Sequence, residues 1–384
     1  MKKRIILSAI AIATIGNFAY ANTNTGIIKK TNGYVRVGYQ NDTKGNINLA
    51  IGGKLHTETK KWNNISIGLS FYTTHIIGGL NTKGNGFYPF FSSDNQSYSI
   101  LGEAYIKGEF KNTLVKIGRQ ELNTPYADPD DLGMIPNTFE AALFQNTDFQ
   151  NTTFTAVYIK DMAGIDAAVP ERFTDTGMSK GVYAAGIEYK GIKNLAIQGW
   201  YYSIRDKAGD RSFTYFEGAY SGEKENIEYE TAAQFATQEA LKNDTEGNAK
   251  IYGIKVSGGY KPSGLILTLA YNKDNGTTAD NGFGGGPFYT SAEHLSLADA
   301  GADGKVYAIS GEWDTSSVGI KNVTIGAGYF GLKDKNNNKA YEKDVSINYN
   351  YNDNLSLSAV YSNINDNING NDFKNIRAFA NYKF

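Results

Sequence analysis

From Gly33 onward, apolar residues alternate with polar or small ones over segments of roughly ten residues, with Asn, Asp, Lys and Gly gathered between them. At the C-terminal end Ile376, Ala378, Ala380, Tyr382 and Phe384 fall on one parity and Asn375, Arg377, Phe379, Asn381 and Lys383 on the other. Leu355, Leu357, Ala359 and Tyr361 repeat the theme against Ser356, Ser358 and Val360, as do Leu265, Leu267, Leu269 and Tyr271, Ile65, Ile67, Leu69 and Phe71, and Tyr252, Ile254, Val256 and Tyr260. A period of two places successive side chains on opposite faces of a strand, so the two faces meet different environments.

The pattern predicts eighteen strands, at about 33–41, 46–57, 61–73, 96–110, 112–121, 137–147, 151–160, 181–190, 194–204, 211–221, 225–237, 248–260, 263–273, 304–314, 319–331, 340–351, 353–363 and 372–384. A soluble sandwich would show the same alternation, so the connections decide. Even-numbered ones are tight, such as Phe110–Asn112, Lys190–Asn194 and Tyr351–Asp353, whereas 74–95, 122–136, 161–180 and 274–303 are long. Short turns on one side and long loops on the other mark a transmembrane antiparallel β-barrel, and an even strand number puts both ends on the periplasmic side. Hydrocarbon leaves no backbone amide a water partner, so such a sheet must close on itself. Phe71-Tyr72, Trp200-Tyr201-Tyr202, Tyr329-Phe330, Tyr349, Tyr351 and Tyr382 are the aromatic residues expected near the lipid–water interfaces.

The N-terminus supplies a compartment. Met1-Lys2-Lys3-Arg4 is a basic start, Ile5 to Ile15 an apolar stretch, and Ala19-Tyr20-Ala21 an A-x-A site, so residues 1–21 read as a cleavable signal peptide and 22–384 as the mature barrel. Without Lys2, Lys3 and Arg4 the 38 basic side chains fall to 35 against 39 acidic ones. That mild acidity favours neither nucleic acid nor an anionic membrane surface as a partner. There is no cysteine, hence no disulfide framework and no thiolate metal site. Hydrophobic content is 41 %, and after the leader no apolar run approaches the roughly 20 residues of a spanning helix. The abundance of Tyr (27), Phe (20) and Gly (43) suits strands and the turns between them.

Catalytic chemistry finds little support. His56, His75 and His294 stand in separate segments without metal-ligand spacing, and neither G-x-S-x-G nor H-E-x-x-H occurs. Gly326-Ala327-Gly328-Tyr329-Phe330-Gly331 matches G-x-G-x-x-G, but it sits within an alternating strand and opens no helix, so it lacks the geometry that binds a phosphate. Asp128-Pro129-Asp130-Asp131 has the charge for a calcium ion but not the ligand spacing of a dedicated loop. No cofactor or metal is expected. Connection 122–136 carries three of the seven prolines, Pro125, Pro129 and Pro136, which restrict a loop to few conformations. Composition alone leaves open whether that rigid acidic loop folds into the barrel or stands outside it.

Segment 115–142, VKIGRQELNTPYADPDDLGMIPNTFEAA, resembles the hallmark stretch of the OprD family of outer-membrane porins, through Gly118-Arg119-Gln120, Leu122, Thr124-Pro125, Met134, Pro136-Asn137-Thr138-Phe139 and Glu140. Gly285-Gly286-Pro287 with Thr290-Ser291 and Glu293 resembles that family's long lumen-facing loop. The resemblance implies an eighteen-stranded passive channel in the outer membrane for small hydrophilic solutes and ions, often carboxylate-bearing nutrients such as amino acids. It also implies a constriction where these two loops face a basic ladder on the wall. Its partners would be outer-membrane lipid and lipopolysaccharide and the solutes themselves, with self-association left open. By parity Arg36 and Arg377 point inward, whereas Arg119 shares the outward parity of Val115 and Ile117 and reaches the pore only if it turns in with the loop. The expected constriction is therefore Asp128, Asp130, Asp131 and Glu293 against Arg36, Arg119 and Arg377, a transverse field that would orient dipolar solutes. Ser358, Val360, Gly133 and His294 depart from the family's pattern, which places arginines at the first three and an acid at the last. Thr290-Ser291-Ala292-Glu293 has capping-box spacing and predicts a short helix at about 291–299. The reading from another class is a secreted or surface β protein acting in adhesion. A barrel hydrolase would need a nucleophile–base pair that the sequence does not display.

Overall fold

The computed structural model describes residues 26–82, 90–175, 180–206, 209–242, 244 and 247–384; the leader and its cleavage site lie outside them. Eighteen long strands among these residues form one antiparallel sheet. They are β1 Ile28–Asp42, β2 Ile47–Thr59, β3 Ile65–Thr82, β4 Tyr98–Phe110, β5 Thr113–Gln120, β6 Thr138–Asn146, β7 Thr152–Ala163, β8 Val182–Ile192 and β9 Leu195–Ile204. The second half comprises β10 Arg211–Lys224, β11 Ile227–Ala240, β12 Ala249–Tyr260, β13 Leu265–Gly276, β14 Lys305–Asp314, β15 Val323–Lys333, β16 Lys339–Asn350, β17 Leu355–Asp366 and β18 Phe373–Lys383. Each strand pairs with its sequence neighbours, and β1 pairs with β18 in the register Arg36↔Asn381, Val37↔Ala380. The sheet is closed, so no edge is left to seek a partner. A two-residue strand, Thr174–Asp175, adds to the end of β7 and takes no part in the closure.

The expected strands and the alternation of short and long connections are present with shifted boundaries, the first strand starting at Ile28 rather than 33 and the third at Ile65 rather than 61; two further shifts have a clear local cause. The third strand runs on to Thr82 rather than ending near 73, because left-handed Gly78 (φ 61°) and Gly79 (φ 69°) let the chain bulge past Ala50 and resume pairing at Asn48↔Asn81. The fifteenth begins at Val323 rather than 319. The Asp314 carboxylate caps a 3₁₀ turn at Thr315–Val318 by accepting from Ser316 N at 2.9 Å, and left-handed Gly319 and Asn322 then reverse the chain.

The outer face is apolar and open. Leu267 and Leu269 on β13 are 53 % and 57 % exposed, whereas Thr268 between them is 8 % exposed on the inner face. Comparable stripes run along Ile65, Ile67, Leu69 and Phe71, and along Tyr252, Ile254 and Val256. A continuous band of large apolar side chains around a closed sheet suits hydrocarbon and not water, which disfavours the secreted adhesive β protein. The aromatic set divides by parity: Phe71, Tyr201, Tyr351 and Tyr382 face outward, but Tyr72, Trp200, Tyr202 and Phe330 are buried on the inner side and are not girdle residues.

The core accordingly lies inside the barrel. The loop 121–137 sends Leu122, Tyr126 and Ala127 into a cluster with Phe139, Tyr202, Phe213, Tyr215, Phe283, Phe288 and Leu295. Met134 and Ile135 join a second cluster with Phe90, Phe91, Tyr72 and Phe379. Close approach explains Gly38 on β1, where a Cβ would stand 2.7 Å from the Met134 sulfur and 2.9 Å from the Phe379 ring.

Candidate functional site

Two loops meet across the interior. Phe283 N donates to Tyr126 O at 2.7 Å, and Ala127 and Phe283 form a parallel bridge, so 121–137 and 277–304 share backbone hydrogen bonds. Gln238 on β11 ties the second loop to the wall, donating to Asp280 O at 2.7 Å and accepting from Asp280 N at 2.8 Å. Gly284 permits the approach of Asp128, because a Cβ there would lie 2.7 Å from its carboxyl carbon. The expected helix at 291–299 is not formed; only Ala298–Ala300 make a 3₁₀ turn. Both capping side chains are engaged elsewhere: Thr290 donates to Asn272 Oδ1 at 3.2 Å, and Glu293 accepts from Arg377.

Arg36 points inward from β1 and is 4 % exposed. Its Nη1 and Nη2 donate to the two oxygens of Asp131 at 2.7 and 2.8 Å, Nη1 also to Gly133 O at 2.6 Å, and Nε to Asn381 Oδ1 at 2.7 Å. The guanidinium lies 4.9 Å from the Tyr34 ring centroid and 5.2 Å from that of Phe379. Arg377 on β18, equally buried, is ion-paired with Glu293. The expected transverse field is thus largely closed into two contact pairs, Arg36–Asp131 and Arg377–Glu293, because the loops approach the wall closely enough for direct bonding. Arg119 does not join this group. At the loop end of β5, on the outward parity, it lies 3.9 Å from Glu140 and its guanidinium stands 4.4 Å from the Phe173 ring centroid.

Asp128 and Asp130 are half-buried on the loop, with no hydrogen bond from a guanidinium among those of the described residues. Asp128 accepts from Asp130 N at 2.9 Å and from Gly285 N at 3.5 Å. Burial pushes its carboxyl up to about 6, with the backbone donors opposing. Asp130 faces Asp166, which parity could not reveal because it comes from the loop after β7; Asn137 Nδ2 donates to Asp166 at 2.6 Å and holds it there. Burial first, and then the charges of Asp166 and Asp128, push Asp130 up to about 8. In the unfolded chain these carboxyls would release their protons near the ordinary aspartate value, so the folded loops retain protons and their contribution to stability falls as pH rises toward 8. Ionisation over the same window should increase cation preference as pH rises. Reversal potentials in a fixed KCl gradient from about pH 5 to about pH 9 check this, and Asp130→Asn, which breaks the Asp130–Asp166 carboxyl pair, should weaken the rise; a flat profile would contradict the assignment.

The wall carries further charge. Glu342 and Asp344 on β16 lie beside Glu293, and Glu342 accepts from Leu295 N at 2.7 Å and His294 N at 3.2 Å. His294 is held neutral, its value lowered to about 3 by burial and then by Arg377, and its Nε2 is 3.1 Å from Asn375 Nδ2. Lysines rather than arginines line the β2–β5 side: Lys54 pairs with Glu103 and Glu121 at 2.9 Å each, Lys107 with Glu58 at 2.6 Å, and Lys116 with Glu103 at 3.7 Å. Strand parity carried that signal, since Lys54 and His56 alternate with exposed Ile51 and Leu55.

Ser70 donates to Glu103 and contacts His56 Nδ1 at 2.8 Å. This order gives the serine proton to the acid, whereas in a nucleophilic relay it goes to the histidine. Among the described residues no group of three or more His, Asp or Glu side chains stands where it could hold a metal ion. In the Asp128–Asp131 run, Asp131 turns to Arg36 while Asp128 faces backbone N–H groups.

The sequence profile described as "outer membrane porin, OprD family" matches residues 69–384. No curated protein matches the chain. Among solved structures, Pseudomonas aeruginosa OccK8 (OprE) superposes with a TM-score of 0.77 at 15 % identity, covering 94 % of this chain and 99 % of that one. Pseudomonas aeruginosa OpdK with vanillate gives 0.79 at 14 %, covering 94 % and 100 %. A BenF-like porin from Pseudomonas fluorescens Pf-5 gives 0.79 at 16 %, covering 92 % and 98 %. Those identities speak for the fold, a closed eighteen-stranded barrel, and the profile for the family. The chain belongs to the OprD family of outer-membrane porins.

Proposed function

We propose that the chain forms a passive, water-filled diffusion channel for small hydrophilic solutes and ions, narrowed where loops 121–137 and 277–304 meet. The observation that carries this reading is the inversion of the barrel's two faces: apolar side chains exposed outside, and Arg36, Lys54, Glu103, Lys255 and Asp344 on the inner wall. Charged groups in a membrane protein are costly unless they face water or one another, and an inner wall carrying this many of them supports a hydrated passage. Solute gradients drive movement, and no cofactor is required.

The family resemblance implies carboxylate-bearing nutrients, and one similar structure holds vanillate. Here the two constriction guanidinium groups are already bonded to Asp131 and Glu293. We therefore read the cargo as small hydrophilic solutes in general, amino acids included through their ammonium group. Liposome swelling tests the reading: vesicles carrying the refolded protein should swell in iso-osmotic glycine and arabinose and not in a large dextran. Failure to swell in any of the small solutes would count against it.

A further inference from the structure

Arg36 and Arg377 are the two inward guanidinium groups of the β1–β18 wall, and both are already bound. An arginine presents five N–H donors in a planar fork that matches a carboxylate. At Arg36 the Nη edge is bidentate on Asp131 at 2.7 and 2.8 Å, Gly133 O shares Nη1, and Nε goes to Asn381. This is the geometry in which a solute carboxylate would dock, and a side chain of the loop occupies it. Glu293 takes the corresponding place on Arg377 from the other loop. The lysines of the opposite wall are likewise matched, Lys54 by Glu103 and Glu121 and Lys107 by Glu58. Asp128, Asp130 and Asp166 hydrogen-bond to backbone, amide or carboxyl partners, with Arg377 acting on Asp130 only through its charge, and Glu342 and Asp344 add two further carboxyls behind Glu293. Arg36, Arg377, Lys54 and Lys107 are each paired locally, Lys383 beside Arg36 is the further inward cation, and the surplus carboxyls outnumber it, so the residual charge grows negative as they ionise.

We propose that Asp131 and Glu293 act as built-in carboxylate ligands of Arg36 and Arg377, so that the pore selects cations and ammonium-bearing solutes and offers no guanidinium to a solute carboxylate. This rests on the channel reading above and names its solute class. Asp131 is the more exchangeable of the two, with a side chain 28 % exposed against 0 % for Glu293. Replacing it should therefore uncover a carboxylate site at Arg36.

The test uses the full barrel in planar bilayers, with benzoate as carboxylate probe and benzamide as its neutral control. The unmodified channel should pass K⁺ in preference to Cl⁻ and show no benzoate-specific block. Asp131→Asn should shift the reversal potential toward Cl⁻ and lower the benzoate concentration needed for block by about tenfold, the change produced by about 1.4 kcal/mol of added binding. Adding Arg36→Gln should abolish that block, while Asp148→Asn in an exposed turn should leave both readouts alone. If Asp131→Asn fails to give the heat-modifiable mobility of an assembled barrel, Glu293→Gln carries the same test at Arg377. Anion preference in the unmodified channel, or benzoate block that does not depend on Asp131 or Glu293, would overturn the proposal. Absence of any conductance would instead refute the channel itself, so the two failures are distinguishable.

Discussion

Arg36→Ala should release loop 121–137 from the wall, lowering barrel stability by about 3 kcal/mol and making channel current larger and noisier. The energy follows from what is left behind. Removing one partner of a buried ion pair typically costs about 3–5 kcal/mol, because the other charge stays buried without compensation. Asp131 keeps partial access to water, which places this case at the low end. The same substitution deprives Gly133 O and Asn381 of their donor, so the loop loses its side-chain and main-chain ties to β1 and β18 together. Arg36→Lys separates charge from geometry, since an ammonium supplies the charge without the planar fork. It should restore part of the stability and little of the quiet current. Urea titration of the barrel in detergent or lipid, followed by its heat-modifiable mobility, reads the first effect, and single-channel noise the second. An Arg36→Ala barrel as stable and as quiet as the parent would show that the loop is held elsewhere.

Tyr126→Ala should cost more, about 3–5 kcal/mol, the usual range for truncating a buried large aromatic side chain. Tyr126 is fully buried, and its ring centroid lies 5.0 Å from Phe213, 5.3 Å from Tyr202, 6.2 Å from Tyr215 and 6.3 Å from Phe288. Its backbone oxygen accepts from Phe283 N, so this one residue joins three neighbours on the wall to both loops. Truncation would leave a cavity where the loops meet and loosen both. Tyr126→Phe keeps the ring and loses only a long 3.4 Å hydrogen bond from Gln238, so it should cost no more than about 1 kcal/mol. The pair of variants separates packing from polar contact in urea titrations. Equal losses from both would contradict the packing account.

Strand order, closure and inner versus outer parity were legible because each rests on a local period of two repeated eighteen times. Arg36 and Arg377 could be placed on the inner face for that reason, and Arg119 on the outer one. What parity could not supply was distance across the lumen. The proline-rich loop could be recognised as rigid, but not that Asp131 would reach Arg36, because those residues meet only once the barrel has closed. Asp166 was missed for the same reason, as its partner Asp130 lies on a different loop. The helix at 291–299 failed through competition: Thr290 and Glu293 have capping-box spacing, yet Asn272 and Arg377 engage those side chains instead. The inner-wall lysines were legible in principle. Lys54, Lys107 and Lys116 follow from the same parity rule that places Arg36 and Arg377.

The central claim is a continuous aqueous path through the barrel, and single-channel recording in planar bilayers tests it most directly. Purified, heat-modifiable protein added to a bilayer in KCl should give discrete conductance steps that persist at low voltage, with a K⁺-selective reversal potential that strengthens as pH rises. Assembled barrels that insert and yet carry no current at any pH or voltage would contradict it.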